Sequence, residues 1–299
     1  MTDNGRPWLG VFLPQLRMTF DTIVARALAA EAAGFDSIWL MDHLAAPMTP
    51  ELDTFEGWTV AAALAARTER IRIGHLVTCD PFRHPALLAK MVATVDHISG
   101  GRIELGIGWG SVDAELDMFG IGRGTAKERA ERLAESLEIL DLMFSGEPFD
   151  FEGTWFRMQA AMGRPRPLQR PRPPVHIGGA GPELTMPLVQ AHADWWNCPS
   201  YAVERLDEIR PLAGDARVSL QRPVALAPDA ASRDETVATG ERRFGSWGGL
   251  VGGTSAEVAE ALRRDIGRGV EGFVLQFTDF GMPATLEQFM EEVAPELHT

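Results

Sequence analysis

Residues 37–43 read Ser-Ile-Trp-Leu-Met-Asp-His, an apolar run that leads straight into an acid and a histidine. Histidine is the side chain best able to exchange a proton near neutral pH. A neighbouring carboxylate can set its tautomer or contact a bound group. His43 and Asp42 are therefore the catalytic candidates, with Asp42 also a candidate cofactor contact. The plainer readings are a hydrogen-bonded structural histidine and an aspartate in a salt bridge. Position favours chemistry, because α/β barrels keep their reactive groups at the carboxyl ends of strands.

Missing residues narrow that chemistry. The only lysines are Lys90 and Lys127, both in predicted helices, so a Schiff-base mechanism lacks its lysine in the barrel mouth. Tyr201 is the only tyrosine, and the Tyr and Lys of an aldo-keto reductase are not well placed. The seven histidines show no His-x-His or His-Glu-x-x-His spacing, so no metal site is expected. Cys79 and Cys198 form no disulfide framework, which suits a reducing cytosol.

Charge and hydropathy narrow the partners. Lys plus Arg is 28 and Asp plus Glu is 42, a net charge of −14. With no basic run, the chain repels phosphate backbones, and nucleic acid is not an expected partner. No apolar run reaches the roughly 18 residues of a membrane span. Met1–Pro7 is polar and lacks an apolar signal region. The expectation is a cytoplasmic protein without a membrane partner.

A scaffold must bring such groups together. With 299 residues, 45% apolar and 23% charged, the chain suits one large α/β domain over residues 1–299. Strands are predicted at Leu9–Leu13, Ser37–Met41, Ile71–Val77, Arg102–Ile107, Val175–Ile177, Asp194–Asn197, Val218–Leu226 and Gly272–Phe277. Helical spacing lies between them: Asp21 to Gly34, Trp58–Arg67, from Pro85 to before Gly100, Lys127–Phe144, from Pro182, Ala202–Leu212, Arg233–Phe244 and Ser255–Gly267. A last helix covers Leu286–Val293. Thr254 and Glu257 can form a capping box. Residues 145–174 interrupt the rhythm with a hairpin around Glu152-Gly153 and a proline–arginine loop, read as an insertion after the fourth βα unit. Eight βα units favour a closed (β/α)8 TIM barrel over an open doubly wound sheet.

The strand ends then share one mouth. They carry Phe12, Asp42, His43, Val77, Thr78, Cys79, Gly106, Gly108, Trp109, Gly110, Ser111, His176, Gly178, Gly179, Trp196, Asn197, Cys198 and Gln276. This glycine- and aromatic-rich lining suits a flat organic cofactor better than a bare metal ion. Gly178-Gly179-Ala180-Gly181 before Pro182 reads as a phosphate cradle, or as a plain strand–helix turn. Gly106-Ile107-Gly108-Trp109-Gly110 is a partial dinucleotide fingerprint, but no helix opens directly after it. Asp113 and Glu115 are either a second acid or a solvated helix face. Phe12, Glu115, Trp196 and Cys198 are the substrate-side candidates. Of Trp195 and Trp196, one must face the barrel interior.

The chain resembles the luciferase-like monooxygenase superfamily, in its coenzyme F420-dependent oxidoreductase branch. The resemblance runs from Gly10-Val11-Phe12-Leu13-Pro14-Gln15 and Ala32-Ala33-Gly34-Phe35-Asp36 through Asp42-His43-Leu44, Phe82-Arg83-His84-Pro85 and Asp96-His97-Ile98-Ser99-Gly100-Gly101-Arg102. It continues in Pro174-Val175-His176-Ile177-Gly178-Gly179, Ala193-Asp194-Trp195-Trp196-Asn197 and Gly253-Thr254-Ser255-Ala256-Glu257-Val258. It implies a deazaflavin (coenzyme F420) or a flavin (FMN) in the mouth, with His43 near the hydride-transferring carbon and Asp42 against the ring. It also implies a bulge after the third strand, with a cis bond at Leu76–Val77, backing the ring together with Thr78. Gly108–Ser111, His176 and Gly178–Gly181 would hold the ring side and phosphate. Relatives are often homodimers. Relatives acting on sugar phosphates carry an acid near Ser111 and phosphate-binding lysines, which are missing here, so a small non-phosphorylated organic substrate is expected. The rival readings are an FMN-dependent monooxygenase and a non-catalytic flavin- or deazaflavin-binding barrel.

Overall fold

The computed structural model describes residues 5–122 and 124–298; of the polar start, Met1–Asn4 lie outside them. Eight parallel strands close into a barrel. They are β1 (Trp8–Phe12), β2 (Ser37–Leu40), β3 (Arg72–His75), β4 (Ile103–Gly108), β5 (Val175–Gly178), β6 (Trp195–Cys198), β7 (Arg217–Leu226) and β8 (Gly272–Phe277). Each pairs with the next in chain order, and β8 returns to β1. The eight expected strands are the eight of the barrel.

Why the barrel closes is visible in its filling. Trp39 on β2 points inward and is wholly buried. A Cβ on Gly74 of β3 would come within 2.6 Å of the Trp39 ring, so the indole dictates a glycine beside it. Trp8, His176 and Trp195 complete an aromatic floor, with the His176 and Trp195 rings stacked at 5.6 Å. Glu104 holds this layer together. It accepts from His176 Nε2 at 2.7 Å and pairs with Arg72. Alternation along β6 thus sends Trp195 inward and Trp196 outward into the sheet–helix core.

The helices follow the sequence pattern with a few departures. The capping box of Thr254 and Glu257 opens helix Ser255–Gly267 as expected. The helix expected from Pro182 begins only at Met186, because residues 182–185 form a turn closed by the Thr185 N–H to the Gly181 carbonyl. The Ala202–Leu212 stretch is broken into short 3₁₀ and α pieces. A strand that the periodicity did not show, Val251–Gly253, pairs with the end of β7. Its three residues, two of them glycine, leave no alternation to read.

After β4 come a short helix, Asp113–Met118, and a long one, Ala126–Ser145. The hairpin Phe149–Glu152 with Arg157–Ala161 forms a separate two-stranded sheet. Its loop docks on the long helix through Glu135, which accepts the N–H groups of Thr154, Trp155 and Phe156. Among the described residues, no helix is long and apolar enough to cross a membrane.

Candidate active site

The chain after β3 does not continue straight. A cis peptide joins Leu76 to Val77, and Thr78–Cys79 resumes pairing, now with the end of β4. This bulge presses on its neighbours. A Cβ on Gly106 would meet the His75 carbonyl oxygen at 1.8 Å, and one on Gly108 would meet Val77 Cγ2 at 2.7 Å. The glycines after residue 105 therefore serve the bulge and not a dinucleotide turn. They let β4 lie against a backbone that is displaced into the mouth.

Asp42 anchors the bulge from below. Its Oδ2 accepts the Cys79 N–H at 2.8 Å and Arg83 Nη1 at 2.6 Å, and Oδ1 accepts Arg83 Nη2 at 2.9 Å. Arg83 reaches on to Glu56, which caps helix Gly57–Ala65. Burial works against the Arg83 charge, but hydrogen bonding and attraction to Asp42 outweigh it and raise its pKa. Asp42, 3% exposed, is thus turned away from His43 and from the cavities.

His43 finds a different carboxylate. Its Nδ1 lies 2.7 Å from Glu115 Oε2, on the short helix after β4. The other oxygen, Oε1, accepts the N–H groups of Leu44 at 2.6 Å and Ala45 at 3.2 Å. Burial alone would raise the Glu115 pKa. The bonds from His43 and the two backbone donors prevail, and hold it below the usual carboxylate value. An ionised carboxylate only accepts, so Nδ1 carries the proton and Nε2 is left for work in the cavity. Asp113, the other acid in this helix, goes instead to Arg129 at 2.9 Å.

Two cavities meet at His43, Leu76 and Gln221. The first, about 520 Å³, is walled by Leu76, Val77, Gly108–Ser111, Glu115 and Gly178–Gly181. Trp109 donates its indole N–H to Thr185 at 3.3 Å, and both line this space. Asn197, Tyr201, Arg205 and Gln221 complete it. The second, about 460 Å³, opens on the other side of His43 between Phe12, Met41, Met48, Phe244, Trp247 and Phe280. A hollow of about 590 Å³ around Arg222, Asp265 and Arg268 lies apart from these strand ends and shares no lining residue with them.

The structure gathers most of the expected residues here and disperses others. His43, Leu76, Val77, Gly108, Trp109, Gly110, Ser111, Gly178, Gly179, Ala180, Gly181, Glu115 and Phe12 line one or both cavities. His176 does not. It is 1% exposed, in the barrel floor with Glu104. Thr78 is buried and lines neither. Trp196 braces the glycine turn from outside by donating to the Gly179 carbonyl at 2.7 Å. Cys198 is buried in the core, where desolvation pushes its thiol up to about 12. Glu115 enters as the partner of His43 and lines the first cavity. Sequence reasoning assigns no role to Arg83, Thr185, Tyr201, Arg205 or Gln221, and places Asn197 only among the strand-end residues of the mouth. Arg83 and Asn197 stand in motifs that carry the family resemblance, and the other four give no such signal.

The Glu115 bond leads to a testable expectation. Glu115→Gln removes the acceptor-only partner, so the imidazole tautomer is no longer enforced, and kcat falls while substrate KM changes little. The pH profile carries the sign. A carboxylate whose folded pKa is lowered stabilises the fold above its unfolded pKa, and that contribution is lost as pH falls through the depressed value. Glu115→Gln flattens this acid limb in an unfolding titration. An unchanged limb and an unchanged kcat would remove Glu115 from the site.

The chain is similar to several known proteins. The sequence profile of luciferase-like monooxygenases matches residues 6–272, and the chain belongs to that family. An F420-dependent hydroxymycolic acid dehydrogenase of Mycobacterium tuberculosis is 30% identical over 222 residues, 73% of this chain and 60% of that protein. An F420-dependent glucose-6-phosphate dehydrogenase of Microbacterium testaceum is 37% identical over 157 residues, 52% of this chain and 46% of that protein. The chain thus matches only about half of these curated relatives' length. In fold it superposes on an F420-dependent secondary alcohol dehydrogenase solved with an F420–acetone adduct, at a TM-score of 0.83 and 19% identity over 98% of this chain and all of that one. An EDTA monooxygenase from Chelativorans gives the same TM-score at 18% identity, over 98% of this chain and 93% of that one. The barrel is therefore shared by dehydrogenases and monooxygenases, and the fold alone does not choose between them.

Proposed function

We propose that the chain is a coenzyme F420-dependent oxidoreductase acting on a small, non-phosphorylated alcohol or carbonyl compound, with His43 as the proton donor and acceptor. The observation that carries the reading is the place of His43. It stands between two cavities with Nδ1 tied to Glu115 and Nε2 uncommitted. The relatives named as F420-dependent dehydrogenases support the choice of cofactor.

The residues fit a deazaflavin with a phosphorylated tail. Leu76 and Val77 present a backbone shelf to the first cavity, flanked by Gly108–Ser111. Gly178–Gly181 offer bare backbone, and a Cβ at Gly179 would crowd the Thr185 side chain at 3.1 Å. Arg205 lines the same cavity, with its guanidinium paired to Glu208 at 2.8 Å. When bound, the cofactor supplies a hydride acceptor or donor. The protein supplies the remainder by position and electrostatics. In the oxidative direction, the substrate C–H bond gives up its electron pair as hydride, and His43 Nε2 takes the hydroxyl proton. In reduction, protonated His43 returns it. Asp42 and Arg83 keep the bulge in place beneath the reaction.

The test is anaerobic turnover with a panel of secondary alcohols and aldehydes, followed by bleaching of the oxidised deazaflavin. At least one apolar member should be oxidised, and glucose 6-phosphate should not. Oxygen uptake with reduced FMN, and no reaction with the deazaflavin, would replace this reading by the monooxygenase one.

A further inference from the structure

The second cavity has a composition that sets it apart from the rest of an acidic chain. Its floor and walls are apolar, with Phe12, Met41, Phe244 and Phe280 among them. Its lining contains Arg17, Arg242 and Arg243 but no aspartate or glutamate, although the chain carries 42 acids against 28 basic residues. The three arginines are exposed, so they stand at the rim. Arg242 donates to the Thr239 hydroxyl and Arg243 to the Thr278 carbonyl, and no ion pair neutralises any of the three among the described residues.

The opposite end of the cavity carries a second signal. Gln276, on β8, is 2% exposed and lines the cavity, and its Oε1 has no hydrogen-bond partner. A buried amide oxygen left unpaired is destabilising, and a ligand donor removes that cost. Gln276 shares this cavity with His43 and Gln221. The chamber therefore has polar groups on its buried side, an apolar middle and a cationic rim. A sugar phosphate would leave its hydroxyls against Phe, Met and Trp. An apolar body would not.

We propose that this second cavity is the substrate chamber and that it selects an apolar alcohol or ketone bearing a carboxylate, which Arg17, Arg242 and Arg243 hold at the rim while the oxygen function lies toward His43, with the alcohol form donating its hydroxyl proton either to Gln276 Oε1 on binding or to His43 Nε2 on reaction. The volume, about 460 Å³, lies within the ~300–1,000 Å³ range of small-molecule sites. Guanidinium groups suit carboxylates through paired, charge-assisted hydrogen bonds. The proposal deepens the F420-dependent reading by naming its substrate class.

The probe is benzoylpropionate, an aromatic keto acid, compared with its neutral methyl ester. Both are titrated calorimetrically into the protein with and without coenzyme F420. The acid should bind about tenfold or more tightly than the ester, a ratio expected for one charge-assisted contact. Raising the salt should narrow that ratio. Arg17→Gln and Arg242→Gln, both at exposed positions, should weaken the acid and leave the ester unchanged. Equal affinity of acid and ester, binding of neither, or an acid preference that survives both arginine substitutions would overturn the proposal. Preference for the acid without any response to coenzyme F420 would uphold the chamber and remove the cofactor assignment, so the two failures are distinct.

Discussion

On the proposed reading, replacing His43 by alanine should leave coenzyme F420 binding intact and lower kcat by about 10²–10⁴-fold, the usual worth of a positioned general acid–base. The cofactor cavity keeps its bulge and its two glycine walls in this variant, because His43 lines the space without holding those elements. The expected loss follows from the proposed role, in which His43 Nε2 accepts the hydroxyl proton. Glu115 reaches the native site through Oε2 on His43 Nδ1, with Oε1 committed to Leu44 and Ala45. Single-turnover kinetics in the presence of saturating cofactor check this. A variant that turns over at the wild-type rate would show that the proton moves by another route. A variant that no longer binds cofactor would make His43 a binding residue.

Arg83→Met should destabilise the protein by about 3–5 kcal/mol, the cost of stranding a buried charge. The side chains of Arg83 and Asp42 are 9% and 2% exposed, and the guanidinium makes two of the three hydrogen bonds to the carboxylate. The effect reaches the site because Asp42 also fixes the Cys79 N–H, just past the cis peptide. Asp42→Asn combined with Arg83→Met removes both charges and should recover much of the lost stability. The double variant separates an electrostatic anchor from a reacting group. Recovered stability and recovered turnover would make Asp42 a positioning residue. Recovered stability with turnover still absent would return Asp42 to the chemistry. Denaturant unfolding monitored by tryptophan fluorescence, alongside turnover, reads both.

The barrel is legible in the sequence because each strand is an apolar run of the right length followed by helical spacing, and the signals agree from Leu9 to Phe277. Local chemistry is legible where it is local: the Thr254–Glu257 capping box needs only three residues of separation. His43 and the glycine walls are legible by position, since they stand at strand ends, whereas the bulge at Leu76–Val77 is legible only through the family resemblance. Partners are not legible. His43 and Glu115 are 72 residues apart and Asp42 and Arg83 are 41 apart, and no periodicity pairs them. Adjacency suggests that Asp42 orients His43, yet successive side chains at a strand end diverge, and each meets its own partner. The same alternation leaves the inward member of Trp195 and Trp196 open, and it places His176 under the site rather than in it. Pro182 looks like a first helical residue, but the chain uses it in a turn before Met186.

Whether this barrel mouth takes a deazaflavin is tested most directly by titrating the apoprotein with coenzyme F420 and, separately, with FMN while following cofactor fluorescence. A deazaflavin site gives saturable quenching or enhancement with coenzyme F420 at micromolar or lower concentrations and a much weaker response to FMN. Tight binding of FMN with no response to coenzyme F420 would contradict it.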